Sequence, residues 1–535
     1  MSQQPPPSAS VTDARAEHAA AAAAAPTYRI DLGRKVSLRI EDASVFIQAP
    51  TQSRNSRSIP LYDILWAELS GDGHTLTIDY AHEVSKTRRR ATKLSFPTIA
   101  ADPEDEDLYS PPDAVARWIE HLMDRSYGPA SRRKRAYVLV NPHAGPGGAV
   151  KIWEEQVRPI FEAARMPMTI RNTTFSGEAV GLAEQMDIDA FDIIVPCSGD
   201  GLPHEVFNGL GNRPDAKRAL QKIAVAHIPC GSGNALACNV FGTHRPSLAA
   251  LAIVKGVATP MDLISITQGD RRKLSFLSQA LGIIAEADLG TEHLRWMGEH
   301  RFTYGVVTRI LKKKVYPCDL YVKVDIDQKQ DVREHYRRER ENTSTVELDK
   351  MTTSTGAKTQ VGRDNSVTDS DEAAGGEHGS GLPPLKYGTV NDKLPLGWEK
   401  IDADKVGNFY CGNVAYMAPD VIFFNAAWIN DGYMDLVTVD GDVPTAQAPG
   451  LLLSVGNNSF FDNPLVTYRK VSAFRIIPKD QEDGYISIDG EKVPFEPFQA
   501  EVHPRLGMVI TKRGLMEAPG PKDWDSVTAS ERLMA

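Results

Sequence analysis

The feature that most constrains this chain is a rhythm of strand, glycine-rich turn and helix that recurs between residues 134 and 262. Apolar runs at 136–140 (AYVLV), 192–196 (DIIVP) and 223–228 (IAVAHI) read as strands, and helices are expected near 149–164, 178–186, 203–210 and 234–240. That alternation predicts a parallel sheet with helices on its faces. Three turns follow the strands: Asn141-Pro-His-Ala-Gly-Pro-Gly-Gly148, Ser198-Gly-Asp-Gly-Leu-Pro-His-Glu205 and Gly231-Ser-Gly-Asn234. Glycine lets backbone N–H groups approach phosphate oxygens with no Cβ in the way, and the helix that follows adds its positive end. One such loop is as readily a simple turn. Three on successive strands lie together at the carboxyl edge of an open sheet, where ligands bind.

The spacing excludes familiar nucleotide sites. There is no GxxxxGK[ST], no G-x-G-x-x-G opening the first helix, and no H-R-D with D-F-G, so a P-loop NTPase, a dinucleotide-binding unit and a protein kinase do not fit. A net charge of -10 argues against nucleic acid as a partner, because phosphate contacts require a basic surface. Five cysteines without CxxC spacing imply neither a disulfide framework nor a zinc site and fit a reducing cytoplasm. No signal-like segment and no run of about 18 apolar residues is present, so membrane contact is expected to be peripheral and transient.

Domain organisation follows from composition and periodicity. Residues 1–26, rich in Gln, Pro, Ser and Ala, read as a disordered tail. Across 27–127, short β runs at 36–40, 44–48, 61–69, 75–80 and 92–96 precede a helix opened by Pro112 and Asp113, with Val115, Trp118, Ile119 and Leu122 on one face. Strands closed by one amphipathic helix resemble a pleckstrin-homology-like (PH-like) domain. The α/β nucleotide-binding lobe occupies 134–262, and strand-like runs over 263–327 and 397–513 predict an antiparallel β-sandwich or barrel as a second lobe. Residues 328–396, rich in Ser, Thr, Asp, Glu, Gly and Lys, read as a disordered insertion with plausible phosphorylation sites, and 514–535 as a C-terminal tail.

At Ser198-Gly-Asp-Gly the pattern becomes specific. With Asn141-Pro and Gly231-Ser-Gly-Asn-Ala-Leu-Ala237 it resembles the diacylglycerol-kinase-type catalytic domain, and SGDGLPHEVFNGL with CGSGNALA is similar to that superfamily's sphingosine (long-chain base) kinase branch. The resemblance covers about 134–325 and 398–512. It implies a lipid phosphotransferase that uses ATP and Mg2+ to phosphorylate the primary hydroxyl of a sphingoid base. Asp200 would be the general base or hydroxyl-orienting group and a metal ligand. Asn141, His143, Thr173, Ser198, Gly199, Glu205, Gly231, Ser232 and Asn234 would line the ATP pocket. Related first loops often carry lysines where this chain has Pro146 and Gly148, so phosphate charge would fall to Arg295 and Arg301.

The same resemblance places Asp288 and Glu292 at the lipid head and Ile283 and Phe302 along the acyl chain. A desolvated ammonium needs an anionic partner, and diacylglycerol has no amine to offer. Asp489, in Ile488-Asp-Gly-Glu491, would return to the nucleotide or metal side, with Glu491 as a weaker candidate. Plainer readings stand beside these: an acidic helix start at 286–292, solvated arginines, and Asp-Gly as a hairpin turn. A diacylglycerol or ceramide kinase, or a catalytically silent lipid-binding scaffold, remain the alternatives. Whether the chain forms a homodimer is left open.

Overall fold

The computed structural model describes residues 28–34, 36–48, 57–100, 102–145, 147–290, 314–353, 381–444, 446–479 and 484–525, without the side chains of Asp288 and 344–353. The chain divides into two compact units: residues 1–81 with 92–127, and 82–91 with 128–535.

In the first unit, strands Arg29–Asp31, Ser37–Ile40, Ser44–Gln48 and Arg57–Pro60 form one antiparallel sheet, and Ile64–Leu69, Thr75–Ser85 and Arg88–Pro97 form a second, of which residues 82–85 and 88–91 are counted with the other unit. Helix Pro112–Tyr127 buries Val115, Trp118, Ile119 and Leu122, the stripe expected of apolar residues spaced three and four apart. It is pinned by Trp118 Nε1 donating to Tyr28 O at 3.1 Å and Tyr127 Oη donating to Leu65 O at 2.6 Å.

The second unit holds the expected parallel strands in the order Met168–Asn172, Ala136–Val140, Ile193–Ser198, Ala224–Val225. Ala136–Val140 and Ile193–Ser198 are buried at every position, because helices on both faces leave a parallel strand no polar side. The antiparallel lobe is not a separate sheet. Strand Phe498–Thr511 pairs in parallel with Ala224–Val225 and antiparallel with Val257–Gln268 and Thr467–Pro478, so one mixed 16-stranded sheet runs through both lobes. Its antiparallel part encloses a core that includes Ile264, Leu320, Phe409, Phe474 and Phe498.

The disordered-insertion expectation for 328–396 is corrected at both ends. Lys329–Thr353 is a helix, and Val332 and Tyr336, four residues apart, are buried. Tyr336 packs edge-on against Trp428 and Trp524, so two anchors hold an otherwise polar helix. At the far end, the Lys386 and Tyr387 N–H groups donate to buried Glu501 at 2.8 and 2.9 Å, and Gln499 and Arg475 grip the carbonyls of Gly388 and Thr389. The expected C-terminal tail also packs in part, with Leu515, Met516 and Ala518 buried.

Candidate active site

The three glycine turns meet. A Cβ on Gly145 (φ +56°) would lie 2.8 Å from Cys230 O, one on Gly199 would lie 2.8 Å from Gly233 O, and one on Gly231 would lie 2.5 Å from Gly199 N. These contacts require glycine, since no side chain fits between backbones this close. Asn141 joins the first loop to the second, donating from Nδ2 to Ser198 Oγ at 3.4 Å, and folds its own turn by accepting the His143 N–H at 2.9 Å. Asn234 closes the third loop on itself through the Gly231 N–H and Gly231 O. Thr173 is buried, its N–H on Val140 O.

Asp200 sits where the loops converge, immediately before helix Gly201–Gly211. Its Oδ2 accepts the Ala235 N–H at 2.7 Å and its Oδ1 the Leu236 N–H at 3.0 Å, both at the start of helix Ala235–Phe241. Burial raises its pKa, opposed by His227 and by these two amides. His227 is buried, with Nε2 donating to Ser198 O at 3.0 Å and Nδ1 3.8 Å from Asp200 Oδ1. Burial holds the imidazole below its usual range. Asp200 therefore joins the second loop to the third and keeps a carboxylate of enhanced basicity at their junction, the property that proton abstraction uses.

Two other carboxylates are engaged by neighbouring backbone. Glu205 accepts the Gly177 and Ala179 N–H groups at 3.0 and 3.1 Å and so caps the helix Glu178–Gln185; its pKa is raised by burial and by nearby Glu491. Asp489 is buried in a hairpin where Asp489 and Gly490 both have positive φ (53° and 84°), the conformation of a type I′ turn. Its Oδ1 accepts from Ser275 Oγ, Leu277 N and Ser278 N, and its Oδ2 meets Phe276 N and His204 Nδ1. These five partners organise residues 275–278 around the Asp489 carboxylate.

The segment Asn430-Asp-Gly-Tyr-Met-Asp435 carries a buried ionic cluster that the sequence does not announce. Fully buried Lys470 places Nζ 2.6 Å from Asp431 Oδ2 and 3.0 Å from Asp435 Oδ2, and His335 Nε2 lies 3.1 Å from Asp431 Oδ2. Burial pushes the Asp435 carboxyl up to about 6 despite Lys470. The cluster is a buried charge network between this turn and strand Thr467–Pro478.

Beside helix Ile283–Leu289 lies an apolar cavity of about 250 Å³, walled by Ile283, Phe423, Val439, Leu451, Val455 and Phe460. Glu286 is engaged by Lys314 Nζ at 2.6 Å and by Tyr316 Oη. Asp288 lies on the Ile283–Leu289 helix; Glu292, Arg295, Arg301 and Phe302 fall outside the described residues. Among the described residues, no group of three or more His, Cys, Asp or Glu side chains is placed to hold a metal ion.

Comparison with known proteins gives a diacylglycerol kinase catalytic domain over residues 135–266 and a domain of unknown function over 28–128. Sphingoid long chain base kinase 5 of Saccharomyces cerevisiae is 36% identical over 432 residues, 74% of this chain but 62% of that protein, less than two thirds of its length. Sphingoid long chain base kinase 4 of Schizosaccharomyces pombe is 31% identical, covering 86% of this chain and 90% of the relative. Sphingosine kinase 1 of Homo sapiens is 29% identical, covering 74% and 96%. Among solved structures, a diacylglycerol kinase from Bacillus anthracis str. Sterne superposes with a TM-score of 0.45 at 16% identity, covering 71% of this chain and 98% of that one.

Proposed function

This chain belongs to the sphingoid long-chain-base kinase family, and from that premise we propose that it transfers the γ-phosphoryl group of ATP to the primary hydroxyl of a sphingoid base. The observation that carries the reading is the meeting of three glycine loops at Asp200, in a fold that also encloses an apolar cavity beside the helix bearing Asp288.

In this reading the loop backbones of Gly145, Gly199, Gly231 and Ser232 take the phosphates, with Asn141, His143, Thr173, Ser198 and Asn234 shaping the nucleotide side. Asp200 orients the acceptor hydroxyl and receives its proton as the in-line transfer proceeds. Arg295 and Arg301 offset the charge on the transferring group. Asp288 and Glu292 hold the ammonium of the base, while Ile283 and Phe302 line the path of its alkyl chain. Glu205 supports the nucleotide and metal side from beside the helix it caps.

Mg2+ fits this donor set in one way. A lone Asp200 is no metal cage, but magnesium is ordinarily held by one or two carboxylates together with substrate phosphates, and it would supply charge neutralisation there. No helix among the described residues is long and apolar enough to cross a membrane. Peripheral contact would bring the enzyme to its lipid, and the first unit, read as a PH-like module, is the proposed docking element. The test is transfer from labelled ATP by the purified chain to a sphingoid base, a ceramide and a diacylglycerol, supplied separately. Preference for the free base is expected, and preference for either neutral lipid would replace the reading.

A further inference from the structure

Lys329 and Arg333, four residues apart, share one face of the helix Lys329–Thr353. Both reach the turn that follows the cavity-wall helix Ala448–Gly456. Lys329 Nζ donates to Asn463 O at 2.9 Å. Arg333 donates from Nη2 to Asp462 Oδ1 at 2.5 Å, from Nε to Lys522 O at 3.1 Å and from Nη1 to Gln330 Oε1 at 3.0 Å. All three nitrogens of the guanidinium are engaged, which fixes its plane. Both cations also lie over the Phe461 ring, 5.9 and 5.2 Å from its centroid, where the electron-rich face attracts positive charge.

The turn has two sides. Phe460 lines the apolar cavity and packs edge-on against Phe423, also in the wall, with ring centroids 5.3 Å apart. Phe461, the next residue, is buried against Tyr468 and beneath the two cations. The Asp462 N–H donates to Ser459 O and the Asn463 N–H to Phe460 O, each at 3.2 Å, so residues 459–463 form one stiff piece. In a close-packed interior a shift of Phe461 is passed on to its neighbours rather than absorbed. The wall residue Phe460 is therefore held in place from outside the cavity, through the residue beside it.

We propose that Arg333 is a positioning residue for the lipid acceptor: by fixing the turn at 459–463 it sets Phe460 in the cavity wall. The helix Lys329–Thr353 is thereby a control element, and what moves it is felt at the lipid site rather than at the nucleotide site. The glycine loops follow Ala136–Val140, Ile193–Ser198 and Ile228–Pro229, in the parallel part of the sheet. The inference rests on reading the cavity as the place of the alkyl chain of the base.

Steady-state kinetics of the purified full chain, with a sphingoid base and ATP varied in turn, test it. Arg333→Ala should raise KM for the base by roughly threefold to tenfold, the range found for residues that lie between coupled elements, with KM for ATP unchanged. Arg333→Lys keeps the charge without the fork and should recover part of that loss. Asp462→Ala breaks the same ion pair from the other side, at a carboxylate that is 36% exposed, and should raise KM for the base in the same direction. It decides alone if Arg333→Ala does not fold. A general loss of folded protein lowers kcat through the active fraction and moves neither KM. An unchanged KM for the base in the folded variants, or KM for base and ATP rising together, overturns the positioning role while leaving the kinase reading intact. Failure of the wild-type chain to phosphorylate the base removes that reading, and this inference with it.

Discussion

His204 Nδ1 lies 2.8 Å from Asp489 Oδ2, which ties the helix that begins beside Asp200 to a hairpin of the antiparallel part of the sheet. One turn further along, Asn208 brackets Leu274, accepting its N–H and donating to its carbonyl, each at 2.9 Å. The position of Asp200 relative to the cavity is therefore set by side chains one and two turns into its own helix.

From that arrangement, Asp489→Ala should act on stability more than on nucleotide affinity. It strands three backbone N–H groups and a hydroxyl in the interior, at about 1–3 kcal/mol for each that finds no new partner. Denaturant titration should give a loss of at least about 3 kcal/mol by that count, with ATP affinity of the folded fraction little altered. A normal unfolding midpoint with lost ATP binding would instead favour a direct role of Asp489 at the nucleotide.

His204→Ala should lower kcat about tenfold, as expected of a displaced group near the chemistry, while KM for ATP stays within about twofold by the same argument. His204→Asn, which keeps a donor near the Nδ1 position, should recover most of that loss. Equal kcat in the two variants would show that the bond to Asp489 positions nothing.

The glycine loops offer an internal control. A Cβ on Gly231 would lie 2.5 Å from Gly199 N, whereas one on Gly148 meets nothing within 4 Å and Gly148 has no positive φ. Gly231→Ala should weaken ATP binding more than tenfold by forcing two loops apart, and Gly148→Ala should leave it nearly unchanged. Calorimetric titration with ATP separates them, and similar affinities for both variants would mean that the loops do not act together.

Asp262 accepts the Gly432 and Arg505 N–H groups at 2.6 and 2.7 Å, yet burial, reinforced by nearby Asp431, pushes its pKa up to about 8. The folded state then holds a proton that the unfolded chain releases at its ordinary value near 3.8, so this group's contribution is fully present below that value and is lost as pH rises toward about 8. Thermal midpoints of wild type and Asp262→Asn between pH 5 and 8 check it. The difference should shift in favour of the variant as pH rises, and a constant difference would contradict the assignment.

The parallel strands and the meeting of the glycine turns were legible because their signals are local. Parallel strands covered on both faces are continuous apolar runs, and glycines after them mark backbones in close approach, as at Gly199 and Gly231. What escaped notice was written elsewhere in the chain. The segment near Lys386 is held by Glu501, Gln499 and Arg475, polar residues in distant strands, so its own composition spoke only for solvent. The helix from Lys329 needs just Val332 and Tyr336, too sparse a stripe to outweigh its charges. Asp489 reads in sequence as an Asp-Gly turn, and its hold on residues 275–278 joins parts of the chain more than 200 residues apart. The continuity of the sheet rests on the 14-residue strand Phe498–Thr511, whose pairing on both sides no local pattern reveals.

The central claim is tested most directly by single-turnover transfer from labelled ATP to a sphingoid base, comparing wild type with Asp200→Asn and measuring ATP binding alongside. The variant keeps an oxygen for one of the Ala235 and Leu236 N–H groups but loses the proton acceptor. Transfer should fall by at least about 100-fold, the lower end of what a positioned general base contributes, while ATP still binds. Transfer at the wild-type rate in Asp200→Asn would contradict the account.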